Sequence, residues 1–231
     1  MSSLRELHEG PPFVIPNPWD VGSAKVLESL GFPALATTSS GFAFTLGKRD
    51  GEATLDEVVA HVAALVAAVS VPISVDLENG YGDPAVAIAR VAEAGAQGGS
   101  IEDWDRDAQR LYEIGEAVER LTAAVEAAPE GFVVVGRAEN HIRGVDDLDD
   151  TIVRLQAYAA AGAGCLYAPG LRTAEQIRAV CEAVAKPVNV LLYGDLTVRE
   201  IFAAGAQRVS VGGRLTWVAR DALIEAATAL R

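Results

Sequence analysis

Short apolar runs recur along the chain, with room for one helix between each pair. They cover residues 13–15, 34–38, 73–76, 99–102, 132–137, 164–167, 188–192 and 208–211. Most are continuous in apolar character, as strands buried on both faces of a parallel sheet are. The intervening segments have helical period. Leu55, Val58, Val59, Val62, Leu65, Val66 and Val69 recur at spacings of three and four, which places them on one face. Leu148, Ile152, Leu155 and Ala159 do the same, with Asp146 and Asp147 as caps or first-turn acids at the positive end. Helices are expected to end at Leu30-Gly31, Ala94-Gly95, Ala161-Gly162 and Ala204-Gly205, because glycine suits the left-handed position after a helix. Strict alternation predicts parallel strands joined by right-handed crossovers. Eight units in 231 residues predict an α/β fold, a closed (β/α)8 TIM-type barrel, as one domain over 1–231. An open doubly wound sheet is the weaker alternative, since no Gly-x-Gly-x-x-Gly follows the first strand.

Composition narrows the function classes. With 50% hydrophobic and 22% charged residues the chain can build a core. A net charge of −13 argues against a nucleic-acid footprint. No uncharged apolar run approaches the roughly 20 residues of a membrane span, and residues 1–7 lack the apolar core of a secretory signal. Cys165 and Cys181 read as isolated buried thiols of a reducing compartment. A cytoplasmic protein, with neither nucleic acid nor membrane as partner, is the expectation.

In such barrels the chemistry lies at the C-terminal ends of the strands. There the sequence places Thr37-Thr38-Ser39-Ser40-Gly41, Asp76-Leu77-Glu78-Asn79-Gly80-Tyr81-Gly82, Glu102-Asp103 and Arg137-Ala138-Glu139-Asn140, with Arg49-Asp50-Gly51-Glu52 in a long loop after the second strand. Carboxylates therefore converge from three adjacent strands. Hard oxygen ligands favour Mg2+ or Mn2+ over Zn2+, and His8, His61 and His141 have no zinc spacing. Arg137 suits either a substrate carboxylate or a neighbouring acid, Glu102 or Glu139. The Thr38–Ser40 hydroxyls suit an anion or the loop backbone. Gly194 and Gly212-Gly213 after the last two strands read equally as a phosphate cradle or as tight turns.

Thr38-Ser39-Ser40-Gly41, Gly47-Lys48-Arg49-Asp50, Val75-Asp76-Leu77-Glu78-Asn79-Gly80-Tyr81-Gly82, Ser100-Ile101-Glu102-Asp103 and Gly136-Arg137-Ala138-Glu139 occur in that order. Together they resemble the isocitrate lyase/phosphoenolpyruvate mutase superfamily over about residues 13–215. The resemblance implies a Mg2+-dependent barrel enzyme acting on 2-oxo acids, assembled as a homotetramer or homodimer with a last helix swapped between neighbours. It implies that Asp76 ligates Mg2+ (or Mn2+) directly, and that Glu78, Glu102 and Asp50 hold it through water. Thr38, Ser39, Ser40, Gly41, Asp76, Arg137, Glu139 and Asn189 would bind substrate. Asp50, Glu102 and Arg137 would be the catalytic set, with Asp50 or a water on Glu102 as acid–base partner.

One departure bears on the activity. Where isocitrate and methylisocitrate lyases carry a Lys-x-Cys-Gly-His loop, this chain reads Asp103-Trp104-Asp105-Arg106-Asp107-Ala108-Gln109-Arg110-Leu111. The asparagine-bearing gating loop of phosphonate mutases is absent too. The expected activity is a lyase that cleaves a C–C bond next to the carboxylate of a small 2-oxo or hydroxy (di)carboxylate, through a metal-stabilised enolate. The alternatives are a phosphonate P–C mutase or hydrolase, and a Mg2+/2-oxo-acid binder without catalysis. The apolar stripe of Leu215, Val218, Ala219, Ala222, Leu223, Ala226 and Ala227 is expected to bury itself on its own barrel or on a second subunit.

Overall fold

The computed structural model describes residues 2–231. Eight parallel strands form the expected barrel: β1 (Phe13–Ile15), β2 (Leu35–Ala36), β3 (Ile73–Asp76), β4 (Gly98–Glu102), β7 (Val133–Arg137), β8 (Cys165–Tyr167), β9 (Val188–Leu191) and β10 (Arg208–Ser210). Their order is β1-β10-β9-β8-β7-β4-β3-β2. At the seam between β2 and β1, Ala36 N donates to Pro16 O at 3.0 Å and Asn17 Nδ2 to Thr37 O at 2.9 Å, so the circle nearly closes. Between β4 and β7, β5 (Trp104–Asp105) and β6 (Arg110–Leu111) form an antiparallel hairpin in the segment that stands in place of the lyase loop.

The outer helices are α2 (Val21–Ser29), α4 (Leu55–Ala68), α5 (Pro84–Glu93), α6 (Ile114–Ala127), α7 (Leu148–Ala160), α8 (Ala174–Ala183) and α9 (Val198–Ala203). Their starts follow from local chemistry. Thr54, Thr173 and Thr197 each close a capping box with Glu57, Gln176 and Glu200 three residues on. Asp147 caps α7, whereas Asp146 instead meets His141 Nδ1 at 2.8 Å. Gly31, Gly95, Gly162 and Gly205 all have positive φ, as expected at helix ends. One apolar cluster fills the space between strands and helices; Val62, Leu65, Ile88, Leu155 and Ile177 are fully buried in it. A second lies inside the barrel, where α1 (Leu4–Glu9) plugs the floor with Leu4 against Ile15, Ala34, Val135 and Cys165.

One expectation needs correction. The run 34–38 is a strand only at Leu35–Ala36, and the segment after it is not all loop: Thr38 caps α3 (Ser39–Thr45). Of the last helix, α10 (Arg214–Thr228), only the start of the stripe meets its own barrel, through Leu215. Thr216 is its one buried residue, while Val218, Leu223 and Ile224 are 61%, 66% and 56% exposed. Among the described residues no helix is long and apolar enough to cross a membrane.

Candidate active site

Asp76 is the last residue of β3, and its carboxylate is fixed from two sides. Oδ2 accepts from Ser39 N at 3.0 Å and Oδ1 from Glu78 N at 3.3 Å, while Asp76 N donates to Thr37 Oγ1 at 2.9 Å. The first turn of α3 thus presents a backbone amide to an anion, as helix N-termini do. Thr38 Oγ1 and Ser40 Oγ lie 3.2 Å apart beside it. Gly41, in the same turn, is buried, and a Cβ there would come within 2.6 Å of Thr216 Oγ1 at the start of α10. Its place is one of close packing.

Arg137 ends β7 and gathers three acids. Nε donates to Glu139 Oε1 at 2.6 Å, and Nη1 lies 3.4 Å from Asp76 Oδ1 and 3.3 Å from Glu102 Oε2. Its guanidinium also stands 5.3 Å from the Tyr167 ring centroid. Both sequence readings of Arg137 therefore meet in one residue: it pairs with neighbouring acids and still lines an open cavity of about 180 Å³. That cavity also touches Thr38, Ser39, Ser40, Asp50, Asp76 and Asn189, so the structure brings these predicted residues together. It does not bring the others to the same surface. Glu139 is fully buried and Glu102 4% exposed, both among the acids that Arg137 gathers. Glu78 faces a neighbouring cleft with Gly51, Tyr81 and Arg106.

Three arginines and an aspartate were missed by the sequence reading. Arg143, from the short helix after β7, lies 2.8 Å from Glu139 Oε2 and 3.4 Å from Glu102 Oε1. Arg106, from the hairpin, lies 2.8 Å from Glu78 Oε2. It rests on Gly51, where φ is +86° and a Cβ would overlap its guanidinium. Asp103 receives Glu139 N at 2.8 Å on one oxygen; the other receives Tyr158 OH at 2.6 Å and Arg154 Nη1 at 3.0 Å. Asp103 had a signal, since it follows Glu102 at a strand end; the arginines had none.

The electrostatics follow from this crowding. Burial pushes Glu78 up to about 7, against the pull of Arg106 and with help from Asp76 and Asp50. Burial likewise holds Glu102 above the usual carboxylate range, opposed by Arg137 and aided by Glu139 and Asp76. Burial works against the charge of Arg137, but Glu139, Glu102 and Asp76 keep it firmly protonated. Glu78 and Tyr81 are non-glycine residues with φ of 51° and 53°, so this loop holds strained backbone. Among the described residues no three His, Cys, Asp or Glu side chains converge as a metal cage; the acids face arginines instead. The donor set nevertheless fits a hard divalent cation: all are carboxylate oxygens, and two are held above their ordinary range by burial and by neighbouring acids, which a cation would relieve.

The chain is similar to several known proteins. A crystal structure of a provisionally named lyase/mutase from Burkholderia cenocepacia J2315 superimposes with a TM-score of 0.94 at 49% identity, covering 98% of this chain and 86% of that one. An oxaloacetate decarboxylase of Rhodopseudomonas palustris (strain BisB5) is 30% identical over 99% of this chain and 84% of its own length. A phosphonopyruvate hydrolase in complex with oxalate and Mg2+ superimposes with a TM-score of 0.90 at 25% identity, covering 99% of this chain and 85% of that one. The family model described as phosphoenolpyruvate phosphomutase matches residues 4–231, and the chain belongs to that family, within the isocitrate lyase/phosphoenolpyruvate mutase superfamily.

Proposed function

We propose that the protein is a Mg2+-dependent lyase that cleaves a C–C bond next to the carboxylate of a small 2-oxo or 2-hydroxy dicarboxylate, with oxaloacetate as the first candidate. The observation that carries this reading is the single cavity onto which Asp76, Arg137 and the α3 N-terminus all open. Asp76 would hold the cation directly, and Glu78, Glu102 and Asp50 through water. Bound there, Mg2+ (or Mn2+) supplies positive charge against the oxygen that becomes negative when the bond breaks.

The remaining work falls to the chain. Arg137 offers its free edge to a substrate carboxylate, its orientation held by Glu139, which Asp103 in turn holds by its backbone amide. Thr38 and Ser40 offer hydroxyls on the opposite wall, beside the Ser39 amide that already holds Asp76. Asp50, exposed at the rim, is placed to take up or return a proton. Similarity to the oxaloacetate decarboxylase supports the substrate class, and the neighbour's bound oxalate supports a planar 2-oxo carboxylate next to Mg2+. Two free cysteines suit a reducing cytoplasm, and the uncovered apolar face of α10 suits a homotetramer or homodimer.

Calorimetric titration with oxalate tests the reading. Binding is expected with Mg2+ and lost with EDTA or in Asp76→Ala; equal affinity under all three conditions would refute it. A P–C bond as the target is the second reading, favoured by the similarity to phosphonopyruvate hydrolase. Phosphate release from phosphonopyruvate, without turnover of oxaloacetate, would select it.

A further inference from the structure

The barrel interior holds a cation that the proposed reaction does not use. Arg208 begins β10 and is 3% exposed. Its Nε donates to Asn189 Oδ1 at 2.9 Å, and its Nη1 lies 3.4 Å from His8 Nε2. Both partners are neutral. His8 Nδ1 lies 2.7 Å from Leu4 O, a contact that places the ring proton there and leaves Nε2 to accept. Burial, with Arg208 beside it, lowers the His8 pKa to about 4. Among the described residues no carboxylate lies within 4 Å of the Arg208 guanidinium. The other two deeply placed arginines differ: Arg137 has three acids and Arg154 has Asp103 and Asp150.

An isolated charge removed from water costs several kcal/mol, so buried charges are normally paired. Nothing ordinary about the fold calls for this one, since a neutral residue would fill the start of a strand as well. Arg208 also lines the cavity that opens at Asp76 and Arg137, together with Asn189, Ser210, Ser74 and Ser100. These offer amide and hydroxyl groups and no carboxylate, and all four are buried. Asn189 is held by Arg208 on its oxygen and gives its amide to Ser210 Oγ at 3.0 Å. That arrangement turns it into part of the wall around Arg208.

We propose that the interior of the barrel binds a small monovalent anion, a halide or an oxyanion no larger than bicarbonate, against Arg208, Asn189 and Ser210. The anion supplies the missing counter-charge, and the small side chains around it limit its size. It shares its cavity, and Asn189, with the proposed substrate site, but its binding requires neither the cation nor the substrate.

The test is thermal melting in EDTA without substrate, with oxalate added only in a separate arm. Sodium chloride or bicarbonate replaces sodium gluconate, which is too large to enter, at constant ionic strength and pH. For a site half-filled near roughly 10 mM, the wild type should gain about 3–6 °C by 100 mM anion, with saturation. Arg208→Met should lose this gain, because no charge remains to be matched. Asn189→Asp places a carboxylate beside the guanidinium and should also lose it, while melting above the wild type in gluconate. If Arg208→Met does not fold, Asn189→Asp alone decides. A wild type that melts alike in all three salts overturns the proposal, as does an Asn189→Asp variant that keeps the gain. A gain with oxalate but with neither chloride nor bicarbonate also overturns it, and would assign Arg208 to a substrate carboxylate.

Discussion

Replacing Arg137 by glutamine removes the one guanidinium shared by Asp76, Glu102 and Glu139. The side chains of Glu102 and Glu139 are 3% and 0% exposed, and only Arg143, itself 30% exposed, would remain beside them. Breaking a buried pair typically costs about 3–5 kcal/mol. The cost has a ceiling, because one acid can take up a proton instead: protonating an ordinary glutamate at pH 7 costs about 3.7 kcal/mol. Arg137→Gln should therefore lose about 3 kcal/mol near neutrality, or roughly 6–12 °C in Tm for a chain of this size. The sign with pH follows. An acid whose folded pKa is raised destabilises the fold above its unfolded pKa, so the deficit should shrink to about 1–2 kcal/mol at pH 5.5. Mg2+ should stabilise the variant more than the wild type, since it supplies charge that the arginine no longer does. Urea melts at pH 7.5 and 5.5, with and without Mg2+, read all three effects. A deficit under about 1 kcal/mol, or one that does not change with pH, would refute the electrostatic account of this cluster.

Three further outcomes are expected. His8 is buried, and its pKa falls to about 4, so it stays neutral in the fold while the unfolded chain takes up a proton below pH 6.5. Its contribution is complete above that pH and lost as pH falls towards 4, by at most about 3 kcal/mol; the difference in pH–stability slope between wild type and His8→Gln measures it, and parallel curves would contradict it. Gly51→Ala should push Arg106 off Glu78 and cost about 1–2 kcal/mol, from the positive φ and the lost contact; hydrogen exchange across residues 104–111 should quicken, and unchanged exchange would show that the Arg106–Glu78 contact does not hold the hairpin. Leu223→Glu with Ile224→Glu on the exposed face of α10 should convert the assembly to monomers by sedimentation, whereas a monomeric wild type at micromolar concentration would exclude the assembly altogether.

What the sequence could reveal divides along physical lines. Short runs set off by proline marked β1 and β3 to the residue: Pro12 and Pro16 flank β1, and Pro72 precedes β3. The run at 34–38 shortened because two threonine hydroxyls are used elsewhere: Thr37 accepts from Asp76 N, and Thr38 caps α3. The hairpin of β5 and β6 has two residues in each strand, too few for any alternation to appear. At the site, the acids and Arg137 were legible because they end strands, and a barrel brings strand ends to one rim. Arg106 comes from the hairpin turn and Arg143 from the short helix after β7, and only the fold decides which acids they reach. Arg208 lay unseen for the opposite reason: it begins a strand, where the sequence suggests packing and not charge.

The central claim is tested most directly by product analysis of oxaloacetate and a small panel of 2-oxo and 2-hydroxy dicarboxylates, by mass spectrometry, with Mg2+ or with EDTA. The account predicts C–C cleavage of at least one member with Mg2+, none with EDTA, and none for Asp76→Ala under either condition. Full turnover by Asp76→Ala, or turnover by the wild type that is indifferent to EDTA, would contradict it.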